Sequence, residues 1–218
     1  MIVNVIGATG LVGTQLVRQL AESSEVKKIR IFVRKPTGFV SEKIEEHVIQ
    51  FGEMDSWKNL VTGDVLFSAL GTTVKQAGSK GKEFEVDFTY NLNFARAARD
   101  NQIPTYVLVS SVGANSKSAI FYSRMKGQLD EAVQDLGFQN TIILRPSVLD
   151  GQRKGKRAAE NLAIKVGNVV TKFIFKKYRP IKDTIVAKAM IKAAMQSQTG
   201  AAKIIYTADE IFSLAGEQ

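Results

Sequence analysis

Cysteine is absent from this 218-residue chain, so the protein forms no disulfide and uses no thiolate in catalysis. Histidine occurs once, at His47, where we expect a structural role because this residue starts a predicted strand away from the expected ligand crevice. No apolar run approaches the roughly 20 residues that span a membrane. A predicted strand begins at once and leaves no room for a cleaved signal peptide. These absences predict a cytoplasmic protein with no membrane partner.

Acidic residues are scarce in the last third of the chain. The formal net charge is +9; residues 1–144 hold 16 Lys and Arg against 15 Asp and Glu, whereas residues 145–218 hold 14 against 6. The densest cationic stretch runs from Arg153 to Lys182 and contains one acid, Glu160. Such an excess favours solubility and also attracts an anionic substrate or partner. Nucleic acid is a less favoured partner, because no recognisable binding motif accompanies the charge.

Short apolar segments alternate with amphipathic ones along the first two thirds of the chain. Predicted strands lie at residues 2–6, 29–33, 48–51, 65–70, 106–110 and 141–144, and the main predicted helices at 14–22, 83–100 and 121–136. Repeated strand–helix–strand units with continuous apolar strands predict a doubly wound parallel sheet of the α/β class. Its ligand crevice is expected at the carboxyl ends of the strands.

We expect a single domain over residues 1–218, in which residues 145–218 form a small basic extension on the substrate side. Helices are predicted near 160–177, at 183–196 and near 209–214, with a strand at 203–207. Phe173, Phe175 and Tyr178 lie among the lysines of this extension. Core packing or a subunit contact explains these aromatic residues better than base stacking, which needs an exposed groove.

Three glycines follow the first predicted strand and precede the first predicted helix. Gly7, Gly10 and Gly13 form a G-x-x-G-x-x-G pattern, which lets the backbone turn sharply and pass close to a pyrophosphate. The phosphates are expected at the helix N-terminus, where free N–H groups favour negative charge. The alternative is a glycine turn that serves helix packing only. The predicted phosphate-binding loop consists of Gly7, Ala8, Thr9, Gly10, Leu11, Val12 and Gly13.

Two cations end the second predicted strand, at Arg34 and Lys35. An NAD-binding domain usually carries an acid here that accepts hydrogen bonds from the adenosine ribose. A guanidinium instead offers a fork that matches the oxygens of a 2′-phosphate. The pair therefore favours NADP over NAD, and the alternative is a charged turn before Pro36.

Two further loops are placed at the crevice by the strand order rather than by their own chemistry. Glu53 and Met54 follow the third predicted strand and are expected near the adenine. Leu70, Gly71 and Thr72 follow the fourth and are expected near the nicotinamide ribose. Either segment is also compatible with an ordinary loop.

A serine pair and a Y-x-x-x-K motif supply the candidate catalytic groups. Tyr122 and Lys126 are four residues apart, so on a helix their side chains lie on one face. An ammonium group near a phenol favours the phenolate, which makes such a pair a tunable proton donor at neutral pH. Ser110 and Ser111 lie where the fifth strand meets the crevice and can hold a substrate carbonyl oxygen. The alternative is an ordinary surface face of a helix.

These motifs resemble the short-chain dehydrogenase/reductase superfamily over nearly the whole chain. The opening GATGLVG at 7–13 is similar to the glycine pattern of its extended and atypical branches. Four further segments resemble the atypical group that includes the Tat-interacting-protein oxidoreductase and bacterial relatives known as nucleoside-diphosphate-sugar epimerases. These are LGTT at 70–73, SSVGA at 110–114, YSRMKG at 122–127 and LRPSVL at 144–149.

The resemblance implies a Rossmann-type NAD(P)-binding fold and a role for each matching residue. Tyr122 would exchange a proton with the substrate oxygen, and Lys126 would bind the nicotinamide ribose and favour the ionised tyrosine. Ser111, with Ser110 as second choice, would orient the carbonyl, and the turn at Pro146 would lead into the substrate-binding part. Asn91 matches the helix asparagine of the superfamily only loosely.

The expected function is that of an NADP(H)-dependent oxidoreductase, acting on a small carbonyl or alcohol through Ser111, Tyr122 and Lys126, with no metal. The alternatives are a non-catalytic NADP(H)-binding regulator and a nucleotide-sugar epimerase. The segment after Arg145 is short for a full nucleotide-sugar pocket. The resemblance is compatible with a homodimer, since dimers are common in the superfamily.

Overall fold

A computed structural model describes residues 1–150, 179–196 and 202–217. In chain order the described strands are β1 Ile2–Ile6, β2 Lys28–Val33, β3 Ile44–Val48, β4 Val65–Ser68, β5 Thr105–Val109, β6 Asn140–Leu144, β7 Leu149–Asp150, β8 Ile181–Lys182 and β9 Ala202–Tyr206. Seven of them are parallel and form the central sheet in the order β3-β2-β1-β4-β5-β6-β9, and the short strands β7 and β8 pair separately. The strand order reverses between β1 and β4, which places the ligand crevice at the carboxyl ends of these two strands.

Helices cover both faces of the sheet. They are α1 Leu11–Glu22, α2 Met54–Trp57, α3 Val74–Ala77, α4 Lys80–Phe84, α5 Asn91–Asp100, α6 Phe121–Gln134, α7 Asp183–Gln196 and α8 Ala208–Ala215, with a π-helical turn at Glu85–Tyr90 between α4 and α5. The helices α1, α7 and α8 pack on one face, and α5 and α6 pack on the other. This arrangement confirms the predicted doubly wound α/β sheet.

The sequence pattern of the central strands follows from this burial on two faces. Val3, Val5 and Ile6 of β1 are fully buried, and so are Leu66 and Phe67 of β4. Alternate residues of each strand belong to the two hydrophobic clusters that flank the sheet. Strands covered on both sides are therefore continuous apolar runs, which made them visible in the sequence.

The third strand was wrongly predicted at 48–51. It lies at Ile44–Val48, where it forms an edge of the sheet and carries two glutamates, so it lacks the continuous apolar run of the inner strands. His47 consequently lies near the carboxyl end of β3 rather than at its start. The His47 ring stacks on Phe32, with the ring centres 5.1 Å apart.

The predicted helix at 83–100 is not one continuous helix. The π-helical turn Glu85–Tyr90 separates α4 from α5 and changes the direction of the side chains at the crevice. The first helix begins at Leu11 rather than at residue 14, because the glycine turn leads into it directly. The predicted helix near 160–177 lies outside the described residues, as do Phe173, Phe175 and Tyr178.

Candidate functional site

The glycine turn after β1 has the shape of a phosphate cradle. Gly7 adopts a φ of 78°, in the left-handed region that glycine adopts readily. The Gly10 amide donates a hydrogen bond to the Gly7 carbonyl oxygen at 2.9 Å, which closes the turn. A Cβ at Gly13 would overlap the Gly7 carbonyl, so only glycine lets α1 start so close to β1. Thr9 and Gly10 remain exposed at the crevice, and Ala8 and Val12 are buried beneath them.

The N-terminus of α1 is open to an anion. Among the described residues no side chain caps this end of the helix, and its first turn, which includes Leu11, contains no acid. The first N–H groups of a helix need partners, and together with the helix dipole they favour a phosphate. The residues of the turn therefore fit the diphosphate of a dinucleotide.

Arg34 and Lys35 are exposed at the carboxyl end of β2, beside the same crevice. Burial and Glu85 raise the pKa of Tyr90, and the positive charge of Arg34 opposes this rise. Arg34 therefore lies near enough to Tyr90 to act on it. The Tyr90 hydroxyl donates to Glu85 at 2.9 Å. Tyr90 is a crevice residue that the sequence motifs did not indicate, because it belongs to no motif and comes from the π-helical turn.

The loops after β3 and β4 end at the same edge of the sheet. Glu53 is exposed directly before α2, whereas the Met54 side chain packs against the hydrophobic cluster beneath the sheet. Leu70 also packs against this cluster, and Gly71 is exposed. The Thr72 amide donates to Asp87 Oδ2 at 2.6 Å, which ties the β4 loop to the π-helical turn.

Tyr122 and Lys126 lie one turn apart on α6 in different environments. Tyr122 is 39% exposed, whereas Lys126 is only 4% exposed. Lys126 Nζ lies 5.8 Å from the centre of the Tyr122 ring and 2.8 Å from Asp87 Oδ1. Burial opposes the charge of Lys126, but Tyr122 and Asp87 outweigh this effect, so the pKa of Lys126 is raised. The lysine is therefore a buried, charged group beneath an accessible tyrosine.

The two serines after β5 differ in position. Ser110 is buried, while Ser111 is half-buried and its hydroxyl donates to the Val112 carbonyl oxygen at 3.3 Å. Val112 in turn donates its amide to the carbonyl oxygen of Pro146 at 2.9 Å. This bond joins the loops after β5 and β6, so both serines and Pro146 belong to one edge of the sheet.

Helix α6 is fixed against the loop that carries the serines. The Asn115 amide donates to the Ser123 carbonyl oxygen at 2.9 Å. The Arg124 guanidinium donates to the carbonyl oxygens of Ser118 and Ala119, at 2.7 and 3.1 Å. These bonds hold the start of α6, and with it Tyr122, beside the end of β5.

A second buried ion pair joins α6 to the end of β6. Arg145 approaches Asp130 Oδ2 with two nitrogens, Nε at 2.9 Å and Nη2 at 2.8 Å. Burial raises the pKa of Asp130, and Ser110 and Arg145 oppose this rise. The Ser110 hydroxyl is close enough to act on the carboxylate, but the geometry between them is not that of a formed hydrogen bond. No sequence motif indicated Asp130.

Two further properties concern only the described part of the chain. Within residues 1–150, 179–196 and 202–217, no three His, Asp or Glu side chains are grouped so that they could hold a metal ion. No helix in these ranges has the length and apolar character needed to cross a bilayer. Most of the cationic stretch that begins at Arg153 lies outside them; Arg179 is described and packs on the Phe212 ring, 4.7 Å from its centre.

Comparison with known proteins agrees with the geometry of the crevice. Residues 7–197 match the family described as NAD(P)H-binding. The chain belongs to the NAD(P)H-binding family. A relative from Candida albicans, named protein FMP52, mitochondrial, is 34% identical over 221 residues, which cover 97% of this chain and 96% of the relative.

Solved structures with the same fold as this member of the NAD(P)H-binding family include MoeE5 bound to UDP-glucose and NAD. It has a TM-score of 0.69 and 15% identity over 99% of this chain and 81% of MoeE5. The oxidoreductase ylbE from Lactococcus lactis has a TM-score of 0.67 and 14% identity over 98% of this chain and 95% of that one. These structures share the predicted Rossmann-type fold, and the family match confirms the expected NAD(P) class of cofactor.

The cytoplasmic location expected from the sequence is wrong, as the comparison with curated relatives shows. Four curated fungal relatives, which are 32% to 34% identical and align with at least 91% of this chain, are named mitochondrial proteins. The expectation rested in part on the absence of cysteine. This feature does not distinguish the cytoplasm from a compartment inside an organelle.

Proposed function

We propose that this protein is an NADP(H)-dependent oxidoreductase that transfers a hydride to or from a small carbonyl or alcohol. The observation that carries the proposal is the pairing of an exposed Tyr122 with a buried, charged Lys126 on α6. This pair lies beside the loop after β4, at the sheet edge where the glycine turn also opens. A proton donor and a dinucleotide cradle thus share one crevice, as hydride transfer to a carbonyl requires.

Different residues of the chain bind different parts of the cofactor. The nicotinamide group, when bound, supplies or accepts the hydride. The N–H groups at the start of α1 hold the diphosphate, and the exposed Arg34 and Lys35 hold the 2′-phosphate of NADP. Glu53 and Met54 lie on the adenine side, and Gly71 and the Lys126 ammonium lie on the nicotinamide side.

Proton transfer is assigned to α6 and the loop after β5. Tyr122 gives a proton to the carbonyl oxygen of the substrate, or takes one from the alcohol, through its exposed hydroxyl. Lys126 stabilises the ionised form of this tyrosine from below. Ser111, on the partly exposed side of its loop, orients the substrate oxygen, and the buried Ser110 is the second choice for this role.

The substrate is proposed to be small and to carry a negative charge. Ile120 and Val148 are exposed apolar residues on the loops that border α6 and follow Pro146. They offer an apolar wall, while the basic segment 145–218 offers attraction for an anion. A nucleotide-sugar epimerase is the second candidate, supported by solved structures of the same fold that hold nucleotide sugars, such as MoeE5.

The experiment is a screen of small aldehydes and ketones, neutral and anionic, with NADPH as the reductant, and of UDP-sugars with NADP⁺ or NAD⁺ as the hydride acceptor. An oxidoreductase consumes NADPH in proportion to the alcohol formed. An epimerase converts one sugar into its isomer with no net change in the oxidised cofactor, which takes up the hydride and then returns it. Binding of NADPH without turnover of any compound would favour a regulatory protein instead.

A further inference from the structure

We propose that Asp87 is a positioning residue that holds the Lys126 ammonium in place and keeps it charged at the nicotinamide end of the crevice. The inference rests on the proposed function for its catalytic consequence, although the hold on Lys126 can be tested without turnover. Asp87 matches no motif in the sequence and acts on the reaction through Lys126 rather than by touching the reacting atoms.

The first step is the pair itself. Asp87 Oδ1 lies 2.8 Å from Lys126 Nζ, and both side chains are almost fully buried, with 2% and 5% of each exposed. Lys126 has three N–H donors, and among the described residues this contact takes one of them. The other two are then available to a ligand in the crevice. A buried ammonium that loses its counter-ion is strongly destabilised, so the carboxylate is needed for Lys126 to stay charged in this place.

The second step is the fixed position of the carboxylate. Asp87 Oδ2 accepts the Thr72 amide at 2.6 Å, so one side chain joins the β4 loop to α6. Gly71 lies against this pair. A Cβ at Gly71 would be 3.2 Å from Asp87 Oδ1, tighter than most Cβ contacts, and 3.8 Å from Lys126 Nζ, an ordinary contact distance. The glycine therefore lets the β4 loop pack directly against the buried ion pair on the side where the cofactor is proposed to bind.

The third step is the support of the π-helical turn that carries Asp87. Asn91 Nδ2 donates to the carbonyl oxygens of Val86 and Asp87, at 3.0 and 3.1 Å, and its Oδ1 accepts the Ser68 hydroxyl. The Asn91 amide thus binds two backbone carbonyls of the turn and ties them to the end of β4. A π-helical turn of this kind re-aims a side chain and is often found at functional sites.

The acidic groups around Lys126 differ in how much negative charge they place near its ammonium. Tyr122 and Asp130 face it from α6 itself, and Asp87 and the buried Glu83 face it from the segment before α5. Burial and then Asp87 raise the pKa of Glu83, which makes Glu83 the weaker source of negative charge. Asp87 is the one carboxylate among the described residues with an ion-pair contact to Lys126.

The test compares Asp87→Asn with the unchanged protein. Asparagine keeps the size of the side chain and can still accept the Thr72 amide, but it removes the negative charge. Labelling of Lys126 by an acylating reagent, followed by peptide mass spectrometry, reports the pH at which the amine becomes neutral. We expect this pH to fall by about one unit or more in Asp87→Asn, because a nearby carboxylate raises a lysine pKa by that amount.

In a turnover assay, the alkaline limb of the kcat profile should move to lower pH by a similar amount. The value of kcat at neutral pH should fall at least about tenfold, because the ammonium is no longer held in the reacting geometry. Asp87→Glu should recover part of the lost activity, since it restores the charge. A merely structural role for Asp87 would change the melting temperature without moving the pH profile.

Asp64→Asn is the matched control. The Asp64 carboxylate also accepts a backbone amide at 2.6 Å, that of Ile2. Asp64 directly precedes β4, so it lies at the amino ends of the strands, away from the crevice. We expect Asp64→Asn to leave the Lys126 labelling profile unchanged. If Asp87→Asn does not fold, Gly71→Ala serves instead, because its Cβ must displace the pair slightly.

An unchanged labelling profile in folded Asp87→Asn, or in Gly71→Ala where that variant is used, would overturn the inference. A shifted profile in a protein that reduces no carbonyl would leave the inference standing and would contradict only the proposed function.

Discussion

Lys126 Nζ lies 5.8 Å from the centre of the Tyr122 ring, one helical turn below it on α6. In the proposed mechanism the two residues divide the work of a proton donor between an accessible hydroxyl and a buried charge. Tyr122 is 39% exposed, whereas Lys126 is 4% exposed and lies beneath it. This division has a direct consequence for mutations of the tyrosine.

Tyr122→Phe should abolish turnover while leaving NADPH affinity nearly unchanged. The variant removes only the hydroxyl that exchanges the proton, and the ring that lies beside Lys126 is kept. The loss should be at least about a hundredfold in kcat, the usual contribution of a general acid. Steady-state kinetics and a cofactor titration of the same preparation measure the two effects.

Tyr206→Phe provides the control for this substitution. Tyr206 ends β9 and is half-buried against the hydrophobic cluster on the other face of the sheet. Its kcat should match that of the unchanged protein. Full activity of Tyr122→Phe would remove the tyrosine from the mechanism.

Arg34→Ala should weaken NADPH binding at least about tenfold and leave NADH binding unchanged. A charged hydrogen bond to phosphate contributes about 1.5 to 3 kcal/mol, and NADH lacks the 2′-phosphate. Arg18→Ala is the control, because Arg18 is an exposed cation on α1 away from the glycine turn. An equal loss for both cofactors would place Arg34 at some other part of the dinucleotide.

Gly13→Ala should destabilise the protein by several kcal/mol and abolish cofactor binding. Its Cβ would overlap the Gly7 carbonyl and lie 2.7 Å from the Gly7 carbonyl carbon, and backbone atoms cannot give way as a side chain can. Gly81→Ala is the matched control in α4, where the nearest atom to an added Cβ is Ser79 Oγ at 3.9 Å. The control should change stability by about 1 kcal/mol or less. Urea denaturation measures the free energy of unfolding of the two variants.

Arg145→Ala should cost about 3 kcal/mol of folding stability near neutral pH and less in acid. The variant leaves the buried Asp130 carboxylate without its cation. Burial already raises the pKa of Asp130, and loss of Arg145 raises it further. A carboxyl whose pKa is higher in the folded than in the unfolded chain lowers stability as the pH rises between those two values.

The destabilisation by Arg145→Ala should therefore grow from about pH 4 to about pH 7, as measured by urea unfolding at both pH values. Lys188→Ala breaks an exposed ion pair with Glu217 and should cost about 1 kcal/mol or less. A pH-independent loss for Arg145→Ala would mean that Asp130 keeps the same protonation state across this range.

The parts of the fold that repeat simple patterns were visible in the sequence. The inner strands are continuous apolar runs because helices cover both of their faces, and the Gly7 turn is visible because only glycine fits there. The strand β3 was misplaced because an edge strand alternates exposed and half-buried residues, as its Glu45 and Glu46 illustrate. The interruption of the helix before Asn91 accompanies a hydrogen bond from the Ser68 hydroxyl to the Asn91 side chain, a tertiary contact that spacing along the chain does not reveal.

The candidate site was predicted where its residues lie close together in the chain. The positions of Tyr122 and Lys126 on one helix face follow from their spacing alone. Asp87 and Asp130 were missed, because each meets its cation across tertiary contacts that no local motif records. The sequence likewise did not distinguish Ser110 from Ser111. They are neighbours at the end of a strand, but Ser110 is buried and Ser111 is half-buried.

The proposed function requires NADP(H) as the cofactor, and one measurement tests this requirement most directly. The protein is titrated in parallel with NADPH and NADH, and binding is followed by the fluorescence of the reduced nicotinamide. We expect NADPH to bind at least about tenfold more tightly than NADH, because in the proposed binding mode Arg34 and Lys35 contact its 2′-phosphate. Equal affinity for the two, or binding of neither, would contradict the proposed function.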